Sequence, residues 1–341
     1  MDKIKIILDT DIGTDIDDAL ALAYLLMKPE CELMGITTVT GEAKTRAKLA
    51  SVICKAANRG DIPIYPGNEE CILIEQKEKF APQSAVLERW QHEEKFPEDQ
   101  ALSFMQRTIR ENPGEIVLVG ISPMGNIARL FLLDSEIPSL LKGLYLMCGK
   151  FSEYDFKNWY REDDAGDGDF SAFEPHNIKK FMAGGSLEMN ALIDPYATAV
   201  VYQNTGNIHR SVGVDMTHRV TLPMDEFQKR CAEHPLFRPI LDMAGVWFRT
   251  KDEVCFHDPL AVVSIFNDSV CKFVRGNVSV ELGSKSLMGY TLFEENLNGK
   301  HEIACSVNTE AFFDEYFSVF NNGNICKMNF FIEFLISFSY N

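Results

Sequence analysis

The sequence of 341 residues is poor in positive charge: 33 lysines and arginines face 50 aspartates and glutamates, which leaves a formal net charge of −17. Nucleic acids and anionic membranes repel such a surface, so neither is an expected partner. The nine cysteines are odd in number and form no C-x-x-C pair, which excludes the usual disulfide frameworks and zinc-ligand patterns. No signal-peptide pattern opens the sequence and no apolar run is long enough to span a bilayer. We therefore expect a cytoplasmic protein with reduced thiols.

Internal repeats, low-complexity tracts and a linker rich in proline, glycine or serine are also missing, which favours a single domain. The sequence instead alternates short β-branched runs with amphipathic or apolar helical patterns. Strands are predicted at 4–8, 33–39, 116–121 and 144–147, and helices at 19–27, 43–57 and 124–133. This alternation predicts an α/β fold with a mainly parallel, twisted, Rossmann-like sheet flanked by helices.

Two stretches interrupt the alternation and are interpreted as insertions, at about residues 75–100 and 151–185. The first contains Trp90 and His92, and the second contains Trp159 and Tyr160. Either pair is a candidate for a lid over a bound ligand, although aromatic residues in long loops more often pack locally. Residues 1–320 are predicted to form the functional domain, and residues 321–341 an aromatic tail.

A dense group of aspartates follows the first predicted strand. Residues 9–22 read DTDIGTDIDDALAL, with five aspartates in ten positions. One or two would serve as helix caps, but five crowd negative charge so closely that a bound cation is expected to offset it. Carboxylate oxygens without nearby cysteine or histidine suit Ca²⁺ or Mg²⁺ rather than zinc. Solubility is the alternative explanation of the acidic composition as a whole.

A second polar motif lies far along the sequence, where residues 254–262 read VCFHDPLAV. A histidine next to an aspartate before a helical run is consistent with a local cap. Because parallel sheets bind ligands at the carboxyl ends of their strands, the motif is also consistent with a second part of the aspartate site. In that case Asp258 provides a further oxygen ligand and His257 a general acid.

These two motifs and four others occur in an order that resembles the inosine–uridine type nucleoside hydrolases, which cleave the N-glycosidic bond of ribonucleosides with a bound Ca²⁺. The other four are GITTVTG at 35–41, SPMGNIA at 122–128, LMCG at 146–149, and LEMN followed by DP within 187–195. The resemblance covers about residues 1–320 and implies the nucleoside hydrolase variant of the Rossmann-like fold. It also implies a homodimer or homotetramer that acts on a ribonucleoside in purine or pyrimidine salvage, without deciding the preferred base.

The resemblance implies a role for each residue that matches a family position. Asp11 would contact the calcium and act as general base on its bound water, and His257 would protonate or polarise the departing base. The remaining calcium ligands would be Asp18, Asp258 and the backbone carbonyl of Ile121. The ribose contacts and the lining of the sugar pocket would be Asp17, Glu188, Asn190 and Met147. Carboxylates around the sugar would stabilise an oxocarbenium-like transition state.

The sequence departs from the family pattern at three places. The first loop has two additional residues, including Asp15, which is either a neighbour of the ligands or an exposed loop charge. Glu42 stands where the family often has asparagine, which puts the ribose contact at that position in question. Residues 161–175 read REDDAGDGDFSAFEP and partly follow EF-hand spacing. Because an alanine and a proline break that pattern, we expect a solvated acidic loop there.

Two alternatives come from other functional classes. The run ILDTDIGT resembles the DxDx(T/V) loop of haloacid-dehalogenase phosphatases, but Gly13 occupies the position where that family has threonine or valine. The other alternative is a nucleoside-binding paralogue without activity, and Glu42 is the feature of the sequence that supports it.

Overall fold

A nine-stranded sheet forms the centre of the protein, in a computed structural model that describes residues 3–151, 187–249 and 251–321. Its strands are β1 (Ile4–Thr10), β2 (Cys31–Thr38), β3 (Ile64–Pro66), β4 (Ile116–Gly120), β5 (Gly143–Met147), β6 (His209–Val212), β9 (Cys271–Val280), β10 (Thr291–Glu295) and β11 (His301–Val307). A separate two-stranded sheet pairs β7 (Thr221–Pro223) with β8 (Glu253–Cys255).

Helices surround the large sheet. In chain order they are α1 (Asp17–Met27), α2 (Ala43–Ala56), α3 (Ala101–Glu111), α4 (Gly125–Leu133), α5 (Ile137–Leu140), α6 (Met189–Ile193), α7 (Pro195–Gln203), α8 (Val214–Thr217), α9 (Met224–Cys231), α10 (Phe237–Trp247), α11 (His257–Val263) and α12 (Thr309–Ser318), with a 3₁₀ helix at Pro82–Glu88. Within the described residues, every helix is too short or too polar to cross a membrane.

The order of the strands places a topological switch point beside the first strand. The sheet runs β10-β9-β11-β6-β5-β4-β1-β2-β3, and the seven strands from β11 to β3 are parallel. The chain moves outward from β1 to β2 and β3 on one side, and from β4 to β5 and β6 on the other. Doubly wound sheets bind ligands at such a reversal, outside the carboxyl ends of the strands, which here are those of β1 and β4.

The residues of β1 show why this segment forms a central strand. Ile6 and Leu8 are fully buried in one hydrophobic cluster, and Ile7 is fully buried in the other. A strand that is covered by helices on both faces has a continuous apolar run instead of an alternation of apolar and polar residues. The prediction of a single α/β domain with a mainly parallel sheet is confirmed.

The structure adds an antiparallel edge that the periodicity does not predict. β9 pairs antiparallel with both β10 and β11, and polar residues interrupt the apolar ones in these half-exposed strands. The stretch at 75–100 contains the 3₁₀ helix, which packs against α2 and α10.

The eight described cysteines are free thiols, and all of them except Cys305 are buried. Residues 152–186 and 322–341, with most of the second insertion and the tail, lie outside the described residues.

Candidate functional site

The loop after β1 and the start of α11 together form a buried carboxylate cluster. Asp17 and Asp18 are the first two residues of α1, and Asp258 is the second residue of α11, which packs against α1. Carboxylate oxygens of these three residues lie within 4.8 Å of one another. Asp11, in the loop between β1 and α1, is close enough to repel both Asp18 and Asp258. The structure therefore brings the two sequence motifs into one cluster.

The cluster is strongly unfavourable electrostatically when it is ionised. Burial, together with repulsion from neighbouring carboxylates, raises the pKa values of Asp11, Asp17, Asp18 and Asp258 well above their ordinary range. All four residues are less than a tenth exposed. The hydrogen bonds that oppose this effect include one from the Asp258 backbone amide to Asp17, at 3.1 Å, and one from the Thr10 hydroxyl to Asp18. Buried charges of one sign need protons or a metal ion to be stable.

The donor set fits a hard divalent cation. Carboxylate oxygens of three buried residues converge at one point, and within the described residues neither cysteine nor histidine belongs to that group. Ca²⁺ and Mg²⁺ prefer oxygen ligands, whereas structural zinc sites use mainly nitrogen and sulfur. A doubly charged ion at this point would offset the repulsion among the carboxylates.

Asp9 belongs to the same run of aspartates but has a different environment. Its fully buried side chain accepts hydrogen bonds from the Thr37 hydroxyl at 2.5 Å and from the Asn126 amide at 2.8 Å. The Ser122 hydroxyl is a third donor, at 3.4 Å. Burial raises the pKa of Asp9 to about 6, and the three hydrogen bonds limit that rise. The Asp9 carbonyl also accepts from the backbone amide of Ile121 at 3.0 Å, so Asp9 ties β1 to β2 and to the loop after β4.

His257 is the first residue of α11 and lies next to the cluster. Its Nδ1 is 2.6 Å from the Thr217 hydroxyl oxygen, and its ring meets the His218 ring edge-on with the centroids 5.0 Å apart. Burial, with a smaller contribution from His218, holds the pKa of His257 well below its usual value. Burial therefore favours the neutral imidazole, and a neutral ring can still donate one hydrogen bond.

Three of the predicted sugar-binding residues meet at the end of β5. Glu188 caps α6 by accepting hydrogen bonds from the backbone amides of Asn190 and Ala191. It accepts a further one from the Gly149 amide at 2.9 Å. The side-chain amide of Asn190 donates to the carbonyl of Met147 at 2.9 Å. These contacts fix Glu188 and Asn190 against the strand.

Two residues where the sequence departs from the family pattern have partners in the structure. Asp15 is half-buried and accepts a hydrogen bond from the backbone amide of Ile16. Glu42 has a left-handed backbone, with φ of +61°, and its carboxylate accepts from the backbone amide of Ala81 at 2.8 Å. The Glu42 side chain is thus bound to the stretch at 75–100.

The aromatic lid candidates of that stretch have partners of their own. The Trp90 indole donates to Asp242 of α10 at 2.8 Å, and a His92 ring nitrogen lies 2.8 Å from a carboxylate oxygen of Glu94. These contacts attach both residues to the protein surface and give no support to a lid. The other candidates lie outside the described residues: Trp159, Tyr160 and the acidic run at 161–175.

Arg46 of α2 is a neighbour of the site that the sequence patterns do not single out. It is fully buried, and its guanidinium donates to the backbone carbonyl of Asp11 and, at 3.0 Å, to the carboxylate of Glu78. A signal is present in the sequence, because Arg46 shares a helical face with Ala50 and Ile53. An arginine on the apolar face of a helix indicates a buried partner, since arginine is almost never fully buried alone.

Fold and site together define a class of protein, namely a doubly wound α/β protein with a buried carboxylate cluster at the switch point of its sheet. A sequence model of one family, described as inosine-uridine preferring nucleoside hydrolase, matches residues 6–314, and the chain belongs to this family. The protein is therefore an N-glycosyl hydrolase that acts on ribonucleosides. The phosphatase and the inactive nucleoside-binding protein are not favoured.

Named relatives agree with this assignment, and solved structures agree with the fold. The chain is 24% identical over 311 residues to uridine nucleosidase 1 of Arabidopsis thaliana, which covers 86% of this chain and 82% of the relative. It is 26% identical over 329 residues to the inosine-uridine preferring nucleoside hydrolase of Crithidia fasciculata, with coverage of 90% and 94%. The fold is similar to that of the purine-preferring ribonucleoside hydrolase from Gardnerella vaginalis, with a TM-score of 0.75, 21% identity and coverage of 93% and 98%.

Proposed function

We propose that the ribonucleoside is hydrolysed at the crevice between the ends of β1 and β4, with a Ca²⁺ ion held by the carboxylate cluster. One observation carries this proposal: carboxylate oxygens of Asp17, Asp18 and Asp258 meet within 4.8 Å while their residues are buried. Such a group is unstable in its ionised form unless a cation binds. The proposed ligands are Asp18 and Asp258 of this group, together with Asp11, which repels both, and the backbone carbonyl of Ile121. Asp17, the third member of the group, is assigned to the ribose.

The carboxylates also supply the chemistry around the sugar. Calcium, when bound, lowers the pKa of a coordinated water and orients it. Asp11 accepts the proton of the attacking water as general base. Positive charge develops on the ribose ring as the glycosidic bond breaks, and the surrounding carboxylates stabilise that charge. Because the cluster is buried, this stabilisation is stronger than it would be in bulk water.

The ribose hydroxyls are assigned to Asp17, Glu188 and Asn190, with Met147 beside the sugar. The backbone amides that hold Glu188, and the carbonyl that holds Asn190, support this assignment because they fix both side chains before substrate binds. Hydroxyl contacts lie away from the breaking bond. Their binding energy positions the sugar and can therefore contribute to kcat as well as to KM.

His257 is assigned to the departing nucleobase. The base leaves with negative charge on a ring nitrogen and needs a proton or a hydrogen bond there. The Thr217 hydroxyl, 2.6 Å from Nδ1, orients the imidazole. The neutral ring carries its proton on one nitrogen, and a proton on Nε2 would serve as the donor to the base. The depressed pKa of His257 favours polarisation of the base by a neutral ring over transfer from an imidazolium.

The proposed setting is nucleoside salvage in the cytoplasm, by a homodimer or a homotetramer. Buried free thiols support a reducing compartment, and a net charge of −17 supports a small substrate over a polyanion. Relatives named for uridine and for inosine-uridine make uridine and inosine the first substrates to test.

A calcium titration and a ribose-release assay test the proposal together. We expect one Ca²⁺ per chain by calorimetry, and release of ribose from uridine, inosine, adenosine or cytidine that stops with EGTA and returns with calcium. Asp18→Asn is expected to lose both properties. Ribose release that persists after chelation would contradict the calcium assignment. Release that is unchanged in Asp18→Asn would contradict the assignment of the site.

A further inference from the structure

Arg46 is a fully buried arginine on the face of α2 that contacts the loop carrying Asp11. Burying a guanidinium is costly unless its N–H groups find acceptors. The planar fork of an arginine holds several acceptors at fixed relative positions. A buried arginine next to a reaction site therefore raises the question of what it holds in place.

The guanidinium donates hydrogen bonds to three separate segments. Nε donates to the Gly41 carbonyl at 2.8 Å, in the loop between β2 and α2. Nη1 donates to the backbone carbonyls of Asp11 and Ile12, the second at 3.3 Å, in the loop between β1 and α1. Nη2 donates to the Glu78 carboxylate at 3.0 Å and to the Phe80 carbonyl at 3.2 Å, in the stretch at 75–100.

Further contacts join the same stretch to the loop of Asp11. The Thr14 hydroxyl accepts from Arg46 at 3.0 Å and donates to the Glu78 carboxylate. The backbone amide of Gln83, which is fully buried in the 3₁₀ helix, donates to the Gly13 carbonyl at 3.0 Å. Residues 78–83 are thus bound by hydrogen bonds to loop 11–14.

Gly13 shows how closely this loop is enclosed. Its φ is +123°, and a Cβ atom added there would lie 2.6 Å from a side-chain carbon of Leu49 and 3.0 Å from the Cβ of Ala81. Leu49 belongs to α2 and Ala81 to the supporting stretch. The loop is therefore packed between α2, which carries Arg46, and residues 78–83, which accept hydrogen bonds from it.

We propose that Arg46 is a positioning residue of the hydrolase: its guanidinium fixes the backbone of loop 11–14 and so keeps the Asp11 carboxylate at the cation site. The proposal rests on the calcium site proposed above and adds to it a residue that acts through the backbone of Asp11. The charge of Arg46 supports the same role, because the guanidinium attracts the carboxylates of Asp11 and Asp18.

Three variants separate the hydrogen bonds of Arg46 from its charge. Arg46→Met removes both, Arg46→Lys keeps a positive charge without the planar fork, and Glu78→Gln keeps an acceptor oxygen for Nη2. Calcium affinity by calorimetry is expected to fall by about tenfold or more in Arg46→Met, the scale of losing a residue that orients a metal ligand. Arg46→Lys is expected to lose less, and Glu78→Gln least. The loss should appear in kcat more than in KM, because Asp11 acts on the water.

Hydrogen exchange of the calcium-free protein tests the positioning role without any metal. Amides of residues 11–16 are expected to exchange faster in Arg46→Met than in the wild type. Arg210→Met is the matched control. Arg210 lies on β6, and its guanidinium donates to the Glu302 carboxylate of β11 at 2.8 Å. Its removal should leave exchange at 11–16 and calcium affinity unchanged.

The outcomes separate this proposal from the proposed calcium site. Wild-type protein that binds no calcium would overturn the metal assignment, while the exchange comparison would still decide the role of Arg46. Wild-type exchange at 11–16 in Arg46→Met, or wild-type calcium affinity in that variant, would overturn the positioning role. If Arg46→Met does not fold, the same readouts are taken on Arg46→Lys, where unchanged values overturn the proposal.

Discussion

Asp9 and Asp18 lie at the two ends of one run of aspartates, and both are buried, but their surroundings are opposite. Asp9 accepts hydrogen bonds from Thr37, Asn126 and Ser122, so its charge is compensated by donors of the protein itself. Asp18 faces other carboxylates, and repulsion from Asp17 adds to the effect of burial on its pKa. Burial alone therefore does not distinguish a structural carboxylate from a ligand-binding one.

What distinguishes a structural carboxylate from a ligand-binding one is the number of hydrogen-bond donors that the protein places around it. A buried carboxylate that has its own donors contributes to the stability of the fold, whereas a group of carboxylates without enough donors costs stability until a cation binds. The hydrogen bonds of Asp9 are those of a scaffold residue, whereas Asp11, Asp17, Asp18 and Asp258 have the shortage of donors expected of the proposed reaction site. The difference between Asp9 and the cluster leads to measurable differences in activity, calcium binding and stability.

The largest effect is expected from breaking the cluster itself. Replacing Asp18 or Asp258 by alanine is expected to lower kcat/KM by about 10³-fold or more, the scale of removing a preorganised charged group from an active site. Steady-state ribose release measures the change. The control is Asp268→Ala, since the Asp268 side chain is 95% exposed, and it should keep the wild-type rate. Wild-type turnover in either cluster variant would exclude that residue from the mechanism.

The sequence points to residues of the candidate site where polar side chains are concentrated in one motif, and it does not point to them where they are dispersed along the chain. Five aspartates in ten positions are visible as a cluster, and the HDP motif shares their chemistry. The sequence does not distinguish Asp9 from its neighbours, because its three donors come from β2 and from the loop and helix after β4. For Arg46 the sequence shows only a place on the apolar face of α2, because the acceptors that explain its burial lie in three distant segments.

The fold, like the site, can be predicted from sequence in some parts and not in others. β4 is a fully buried apolar run, and β1 contains a shorter one at residues 6–8; such runs are recognisable in a sequence. The antiparallel edge of β9 and β10 is half-exposed, so its pattern resembles that of a loop.

Glu42 differs from the family pattern, and the structure gives it a partner, the backbone amide of Ala81, that is 39 positions away in the sequence.

Calcium is expected to stabilise the wild type and the Asp9 variant but not the variants of the cluster. A ligand at 100 times its Kd contributes about 2.7 kcal/mol to the free energy of unfolding. Thermal unfolding with calcium and with EGTA measures the shift in Tm for the wild type, Asp9→Ala and Asp18→Ala. An equal shift in wild type and Asp18→Ala would place the calcium elsewhere, and loss of the shift in Asp9→Ala would remove the distinction between the two aspartates.

Removing the Asp9 carboxylate is expected to destabilise the fold directly. Asp9→Ala leaves the Thr37, Asn126 and Ser122 donors without their shared acceptor in a buried place, which should cost about 2 kcal/mol. Urea unfolding of the calcium-free protein measures it. Asp9→Asn keeps one acceptor oxygen and should lose less. Unchanged stability in Asp9→Ala would show that these donors find other partners.

The smallest predicted effect is an increase in the free energy of unfolding, and it tests directly whether Asp18 and Asp9 differ in their supply of donors. In calcium-free protein, Asp18→Asn removes one of the repelling charges and is expected to raise the free energy of unfolding by about 1 kcal/mol, although it abolishes activity. The folded-state pKa values of the cluster are raised, so the folded protein holds protons that the unfolded chain has released. The stability of the calcium-free wild type should therefore fall as pH rises above the ordinary carboxylate pKa of about 4.

Urea unfolding at pH 5 and pH 8 measures this dependence in wild type and in Asp18→Asn. The variant has one fewer buried acid to ionise, so its stability should fall less between the two pH values. A variant that is less stable than wild type at pH 8 without calcium would mean that Asp18, like Asp9, is compensated by the protein. In that case the shortage of donors could not be what marks the cluster as a cation site.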